Sequence, residues 1–137
     1  MDPVVHFEMP FDDSKRVQEF YASAFGWKAQ ETGPDMGNYV VVTTTETNEI
    51  GPVKPGAING GLYPRLKDQP QGGPSFVIAV DNIREAIKKI KAAGGRVLGE
   101  PVDIPQVGTY VSFTDTEGNR LSVLQAIPHN WHAPEEK

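Results

Sequence analysis

Residues 4–27 read VVHFEMPFDDSKRVQEFYASAFGW, an extended apolar segment followed directly by an amphipathic one. After Asp13 the apolar side chains recur at the i, i+3, i+4, i+7 and i+8 spacing of one helix face, which predicts a helix over 13–26 with Asp13 as its cap. The apolar positions of that face are Val17, Phe20, Tyr21, Ala24 and Phe25. The preceding segment has strand character, so the chain begins with a strand and then a helix.

The same order returns in the second half of the chain. Residues 75–80 predict a strand, and residues 82–93 predict a helix in which Asn82 and Glu85 resemble a capping box. The two helix caps, Asp13 and Asn82, lie 69 positions apart. Segments typical of strands follow each helix, at 38–45, 57–63, 96–98, 109–114 and 120–126. This self-similarity predicts a duplicated βαβββ unit.

We therefore predict an α+β fold in which two βαβββ modules form a curved mixed sheet with a cleft. The whole chain, 1–137, is expected to be a single domain. Module one is predicted at about 3–64, a Pro- and Gly-rich linker at about 65–74, and module two at about 75–127. The remainder, 128–137, carries His129 and His132 and is predicted to be an extended tail.

Composition excludes several classes of function. Thirteen Lys and Arg against eighteen Asp and Glu give a net charge of -5, which argues against nucleic acid and anionic lipid as partners. The chain has no cysteine, so disulfides and thiolate chemistry are excluded. No segment is long and apolar enough to span a membrane, and no signal peptide opens the sequence, so the expected location is cytoplasmic.

Side chains alternate along a strand, so each predicted strand next to a helix has one face turned away from it. On the first strand Val5, Phe7 and Met9 are predicted to face the helix, and Val4, His6 and Glu8 to face the opposite side. In the second half the helix-facing set is Phe76, Ile78 and Val80, and the opposite set is Ser75, Val77 and Ala79. A polar residue on the uncovered face has two interpretations, contact with a ligand in the cleft or simple exposure to solvent.

With this repeat, the chain resembles the vicinal oxygen chelate superfamily, which includes glyoxalase I, extradiol dioxygenases and the bleomycin and fosfomycin resistance proteins. The resemblance rests on the first strand with His6, on residues 16–27 ending in Phe-Gly-Trp, on residues 80–82 and on residues 117–124. It covers most of residues 4–127 and implies the fold described above. It also implies a small organic ligand and pairing of two chains into a homodimer.

In metal-using members of that superfamily a cation lies in the cleft, held by His, Gln or Glu from up to four strands. The resemblance places the corresponding positions of this chain at His6, Gly60, Ser75 and Ser122. Glycine has no side chain and a serine hydroxyl is a weak neutral donor, so no metal site and no cofactor are expected. The alternative is a shifted register that recruits Glu8 or Glu117.

The leading hypothesis is therefore a small-molecule-binding superfamily member without the usual metal, to which no reaction is assigned. Its cleft would be lined by Glu8, Tyr39, Tyr110 and Ser112 in addition to the four positions above. Two alternatives come from the resemblance. One is a metal-dependent lyase like glyoxalase I or an extradiol dioxygenase, and the other is a protein that sequesters a drug.

Overall fold

The computed structural model describes residues 1–69 and 71–127. These form eight strands, two α-helices and one short 3-10 helix at Pro34–Met36. In chain order the main elements are β1 (Val4–Phe11), α1 (Ser14–Phe25), β2 (Lys28–Glu31), β3 (Val40–Thr43), β4 (Asn59–Pro64), β5 (Ser75–Ala79), α2 (Ile83–Ala92), β6 (Arg96–Ile104), β7 (Gly108–Thr114) and β8 (Arg120–Ala126). The chain divides into two compact units, an α1 unit of residues 6–75 and an α2 unit of residues 1–5 with 76–127.

Both units have the same strand connectivity. In the α1 unit β1 pairs in parallel with β4, β4 pairs antiparallel with β3, and β3 antiparallel with β2. In the α2 unit β5 pairs in parallel with β8, β8 antiparallel with β7, and β7 antiparallel with β6. The first strand of each unit thus pairs with the last, and the chain between them forms one α-helix and two strands. The predicted α+β fold of two mixed βαβββ units is confirmed.

Side-chain caps begin both helices as the sequence predicts. The Asp13 carboxylate accepts a hydrogen bond from the Arg16 backbone N–H at 2.9 Å, and the Asn82 side chain accepts one from the Glu85 N–H at 3.1 Å. These bonds satisfy N–H groups that have no partner inside the helix. At the other end of α1, Gly26 has a left-handed backbone with φ 76°, which ends the helix.

Each helix packs on one face of the sheet of its own unit. In the α1 unit the buried core is Phe11, Val40, Val42 and Leu62, with Phe7, Met9, Val17 and Trp27 packed against it. In the α2 unit it is Ile83, Val111, Phe113 and Val123, against which Ile78, Val80, Ile87, Ile90, Val97 and Leu121 pack. Because Phe7 and Met9 face α1, alternation turns His6 and Glu8 to the opposite face, as predicted.

The predicted buried face of α1 is wrong for two aromatic residues. Phe20 is 57% exposed and Phe25 is 65% exposed, although both follow the helical apolar spacing. Tyr21 occupies the space next to the sheet instead, because its ring stacks on Trp27 at 4.5 Å between centroids. Phe20 and Phe25 then pack against Tyr21 from its outer side, at 4.9 and 6.1 Å.

The predicted burial of Phe76 is also wrong, since its side chain is 48% exposed. Strand β2 is a further element that periodicity did not predict, because Lys28–Glu31 is exposed throughout and has no apolar alternation. In the described part of the chain, neither helix has the length and apolar character needed to cross a membrane.

Candidate functional site

Three polar side chains meet on the face of the α1-unit sheet that is turned away from α1. The Tyr39 hydroxyl lies 3.0 Å from His6 Nε2 and donates a hydrogen bond to Glu8 Oε2, also at 3.0 Å. All three side chains are half-buried. We call this group the polar trio. His6 and Glu8 come from the same face of β1, whereas Tyr39 comes from the residue just before β3.

The backbone around Tyr39 is held by local hydrogen bonds. Thr32 donates twice to the Tyr39 carbonyl, from its backbone N–H at 3.0 Å and from its hydroxyl at 2.7 Å. The preceding residue, Asn38, has a left-handed φ of 59°, which asparagine tolerates better than most residues. The backbone of Tyr39 is therefore held in place, and its side chain extends from there toward β1.

A glycine on β4 provides the space that Tyr39 crosses. A Cβ atom on Gly61 would overlap the Tyr39 hydroxyl and ring. Gly61 lies opposite Glu8 in the parallel β1–β4 pairing, so the missing side chain opens the sheet face where Tyr39 reaches Glu8. The trio depends on a glycine at this position.

The structure differs from the sequence-based placement of Gly60. Gly60 lies opposite Phe7 and Val42, and a Cβ atom there would meet the Phe7 ring on the helix-facing side. The glycine that shares a face with His6 and Glu8 is Gly61. Side chains alternate strictly along a strand, so a shift of one residue moves a position to the other face.

The internal repeat also places Gly61 on the face of the sheet that His6 and Glu8 share. In the α1 unit Glu8 lies opposite Gly61, and in the α2 unit Val77 lies opposite Ser122. Glu8 and Val77 are 69 positions apart, the same offset as between the two helix caps. Gly61 is therefore the counterpart of Ser122 in the repeat.

Burial favours the uncharged forms of both titratable members of the trio. It lowers the pKa of His6, and it raises the pKa of Glu8, an effect that the hydrogen bond from Tyr39 opposes. While Glu8 is ionised it only accepts hydrogen bonds, so Tyr39 donates to it and the tyrosine oxygen accepts from His6 Nε2–H.

The remaining predicted site residues lie as follows. Ser112 and Ser122 are joined by a hydrogen bond of 3.1 Å between their hydroxyls, and Ser122 is buried. Tyr110 is half-buried on the same face of β7 as Ser112, at the position that corresponds to Tyr39 in the repeat. Ser75 is half-buried at the start of β5. The structure thus brings His6, Glu8 and Tyr39 together in one unit, and Ser112 and Ser122 together in the other.

The side chains at these positions do not fit the cation that the resemblance implies. His6 Nε2 is already hydrogen-bonded to Tyr39, Gly61 has no side chain, and the Ser122 hydroxyl is bonded to Ser112. Zinc, nickel and iron need several imidazole or carboxylate ligands at one point. Within residues 1–69 and 71–127 no group of three or more His, Cys, Asp or Glu side chains is placed to hold a metal ion. His129 and His132 lie outside the described residues.

A separate depression of about 370 Å³ lies at the start of α1 in the same unit. It is bordered by Phe11, Phe20 and the ion pair between Arg65 and Asp12, whose nitrogen and oxygen atoms are 2.8 Å apart. None of the polar trio lines it. The ion pair is exposed to solvent and is worth at most about 1 kcal/mol.

Sequence reasoning identified all three members of the trio separately, but not the bonds between them or the role of Gly61. Two signals in the sequence pointed to these contacts. Tyr39 and Tyr110 recur at an offset of 71, and the Gly60–Gly61 pair lies inside a predicted strand, where adjacent glycines often indicate close approach of another group.

Comparison with known proteins gives consistent matches. The family model described as Glyoxalase/Bleomycin resistance protein/Dioxygenase superfamily matches residues 4–123. A glyoxylase-like domain-containing protein from Didymella fabae is 30% identical over 117 residues, which is 85% of this chain and 88% of that protein. The putative glyoxylase CFP32 of Mycobacterium bovis is 44% identical over 71 residues, 52% of this chain and 27% of CFP32. The chain thus matches only about a quarter of the length of CFP32.

Solved structures show the same fold at low sequence identity. The methylmalonyl-CoA epimerase of Mycobacterium tuberculosis has a TM-score of 0.66 at 15% identity, covering 91% of this chain and 88% of that chain. A superfamily member from Vibrio splendidus has a TM-score of 0.59 at 16% identity, covering 90% and 97%. At these identities the likeness concerns the fold.

Proposed function

This chain belongs to the glyoxalase/bleomycin resistance protein/dioxygenase superfamily, and from that premise we propose that it binds a small organic molecule at the polar trio of His6, Glu8 and Tyr39. One observation carries the proposal: a single hydroxyl lies 3.0 Å from both an imidazole nitrogen and a carboxylate oxygen on the open face of the α1-unit sheet. Convergent polar groups on a partly apolar surface are typical of small-molecule sites.

Four further ligand contacts predicted from the sequence also remain proposals, namely Ser75, Tyr110, Ser112 and Ser122. In place of Gly60 we propose Gly61, because it shares a face with the trio. The hydroxyls and tyrosine rings of this set suit an organic ligand with oxygen groups and an apolar part.

We propose that the site works without a resident cation, because one imidazole and one carboxylate, His6 and Glu8, are too few to hold zinc or nickel, and the corresponding positions offer a glycine and serine hydroxyls. Pairing of two chains, the single-domain organisation over 1–137 and a cytoplasmic location also remain proposals. Sequestration of a drug has no specific support among the described residues.

A second candidate is a lyase of the glyoxalase type. It is favoured by the names of the relatives, a glyoxylase-like domain-containing protein and a putative glyoxylase. Turnover of the hemithioacetal of methylglyoxal and glutathione, measured with and without added nickel or zinc, tests it. Turnover that requires metal and disappears in His6→Asn would replace the metal-free proposal.

Binding is tested by calorimetry and thermal shift with oxygen-containing organic compounds. One of them is methylmalonyl-CoA, which is bound in the solved structure of a methylmalonyl-CoA epimerase with a similar fold. For any compound that binds, we expect His6→Asn and Glu8→Gln to weaken affinity about 10-fold or more, because each removes a hydrogen bond to a polar or charged group. Glu100→Gln, at an exposed carboxylate on β6, and Tyr21→Phe, in the α1 core, are matched controls and should bind normally. Equal affinity in all four variants would place the ligand elsewhere.

A further inference from the structure

The Tyr39 hydroxyl has one proton and two hydrogen-bond partners, each of which exists in two protonation states. It lies 3.0 Å from His6 Nε2 and 3.0 Å from Glu8 Oε2, so both distances are those of real hydrogen bonds. Within the described residues no hydrogen bond joins His6 directly to Glu8, so the two are linked through this oxygen. The hydroxyl can donate to only one of the two partners, so when it donates to one it can only accept from the other.

For a neutral imidazole, two arrangements of protons use the tyrosine proton in one of these bonds. With Glu8 ionised, Tyr39 donates to Glu8 and His6 Nε2–H donates to Tyr39, which leaves His6 Nδ1 without a proton. With Glu8 protonated, the carboxyl donates to Tyr39, Tyr39 donates to His6 Nε2, and the imidazole proton is on Nδ1. The protonation state of Glu8 thus selects the tautomer of His6.

His6 Nδ1 is the outer end of this chain of bonds. Within the described residues no hydrogen bond to Nδ1 occurs, so a ligand that reaches the half-buried ring can bond to this nitrogen. In the first arrangement it is a base, and in the second it is a donor. The ligand chemistry that fits both is an O–H or N–H group that gives up its proton as it binds or reacts.

We propose that His6, Tyr39 and Glu8 form a proton relay, in which a proton accepted at His6 Nδ1 is matched by transfer of the Nε2 proton to the Tyr39 oxygen and of the Tyr39 proton to the Glu8 carboxylate. One proton enters at Nδ1 and one arrives at Glu8, while the tyrosine ends as it began. The ligand class, a weakly acidic organic molecule, rests on the proposed function. The relay itself rests on the geometry alone.

The burial of the trio favours a proton on Glu8 over an ion pair between a His6 imidazolium and a Glu8 carboxylate. Burial lowers the pKa of His6 and raises the pKa of Glu8, so an imidazolium beside a carboxylate is less favoured than a neutral imidazole beside a neutral carboxyl. On the same face of the α1 unit the neighbouring strand positions are Val41 and Thr43 on β3, and Asn59 and Tyr63 on β4. None of these four side chains is charged; Lys28, opposite Thr43 on β2, is also on this face, and it is exposed.

The test uses the proton itself as the probe. We would label the histidine nitrogens and the glutamate carboxyl carbons of the full chain, assign His6 by comparison with His6→Asn, and follow both by NMR as the pH is lowered. In the wild type we expect binding of the first proton to change the His6 tautomer, so that Nδ1 becomes protonated and Nε2 loses its proton. The Glu8 carboxyl signal should move with the same midpoint.

Tyr39→Phe should break this coupling, because it removes the bridging oxygen and keeps the ring. Its His6 and Glu8 signals should then move with different midpoints and without exchange of the two nitrogens. Tyr21→Phe is the matched control and should behave as the wild type, since the Tyr21 hydroxyl donates to the Met9 sulfur at 3.9 Å and not to the trio.

Formation of an imidazolium protonated on both nitrogens while Glu8 stays ionised would overturn the relay, as would an unchanged coupling in Tyr39→Phe. The wild-type spectrum alone decides the first point, so the test does not depend on the stability of a variant. If the relay is observed but no compound binds, the proposed function fails and the relay stands. If compounds bind without the coupled exchange, the relay fails and the proposed function stands.

Discussion

Tyr39 reaches its partners only because residue 61 has no side chain. A methyl group at Gly61 would overlap the Tyr39 hydroxyl, whereas a methyl group at Gly60 would overlap the Phe7 ring in the α1-unit core. The two adjacent glycines therefore serve different faces of one strand. Substitutions at these two positions therefore distinguish an effect on core packing from an effect on the polar trio.

We expect Gly60→Ala to lower the free energy of unfolding by about 1–3 kcal/mol, because it overpacks the core next to Phe7. We expect Gly61→Ala to remove the coupling between His6 and Glu8, because it displaces Tyr39. Urea unfolding and histidine NMR measure the two effects. Gly73→Ala, where an added Cβ has nothing within 4 Å, is the control. A Gly61→Ala protein with an intact His6–Tyr39 hydrogen bond would contradict the geometry.

The trio also predicts how stability depends on pH. Burial lowers the pKa of His6 below its ordinary value of 6.5, so just below pH 6.5 the unfolded chain binds more protons than the folded one. The contribution of His6 to stability is therefore greatest above pH 6.5 and falls as the pH drops toward the folded-state pKa. Glu8, whose pKa is raised above 4.5, acts in the opposite sense. Its contribution to the stability of the protein is greatest below pH 4.5 and falls as the pH rises toward its folded-state pKa.

Because the two effects oppose each other, single variants are needed to separate them. We expect the stability of the wild type relative to His6→Asn to decrease as the pH is lowered from about 8 to about 5. Urea unfolding of both proteins across this range measures the difference. A difference that is constant with pH would show that His6 has the same pKa in the folded and unfolded chains.

At the scale of elements, the helix caps are the features that local sequence predicts most directly. The Asn82 side chain accepts from the Glu85 N–H, and a second polar group, the Gln125 side-chain oxygen, accepts from the Ile83 N–H at 2.8 Å. The first bond is predicted from two residues that lie three positions apart. The second joins residues 42 positions apart and depends on how β8 lies beside α2.

We expect Asn82→Ala to lower the free energy of unfolding by about 1 kcal/mol, because it leaves an N–H of the first turn of α2 without its cap. Asp81→Ala, at the exposed residue just before the cap, is the matched control and should change stability by less than about 0.5 kcal/mol. Thermal and urea unfolding check both. Equal losses in the two variants would show that the Asn82 side chain contributes no more to stability than the exposed residue before it.

Strand β2 shows the limit of periodicity at this scale. Its four residues are exposed and mostly polar, and they are held by pairing with β3 from Lys28 opposite Thr43 to Glu31 opposite Val40. Backbone hydrogen bonds at the edge of a sheet need no apolar pattern. Such a strand is recognised only when its neighbour is in place.

For the whole molecule, the duplication lets one unit be compared with the other. The repeat places Tyr110 where Tyr39 is, but Ser75 and Val77 stand where His6 and Glu8 are, and Ser122 where Gly61 is. The α2 unit thus has the tyrosine without its two partners. The polar trio belongs to one unit of the pair.

The donor set also predicts the response of the whole chain to metal ions. A cation held at a real site stabilises the folded state by about 2.7 kcal/mol when it is present at 100 times its Kd. We expect no thermal shift with zinc or nickel that depends on His6. The comparison is between the wild type and His6→Asn, both carrying His129→Asn and His132→Asn to remove the other imidazoles. A shift lost specifically in His6→Asn would contradict the metal-free proposal.

The amino-acid sequence by itself determined the order of strand and helix, the two caps, the duplication and the face on which His6 and Glu8 lie. These features depend on residues close together in the chain, whose spacing decides cap, helix face and strand alternation. The tertiary structure decided that Tyr39 bridges His6 and Glu8 above Gly61. The bridged residues are 33 and 31 positions from Tyr39, so their meeting depends on the register of β1, β3 and β4, where a shift of one residue turns each side chain to the other face.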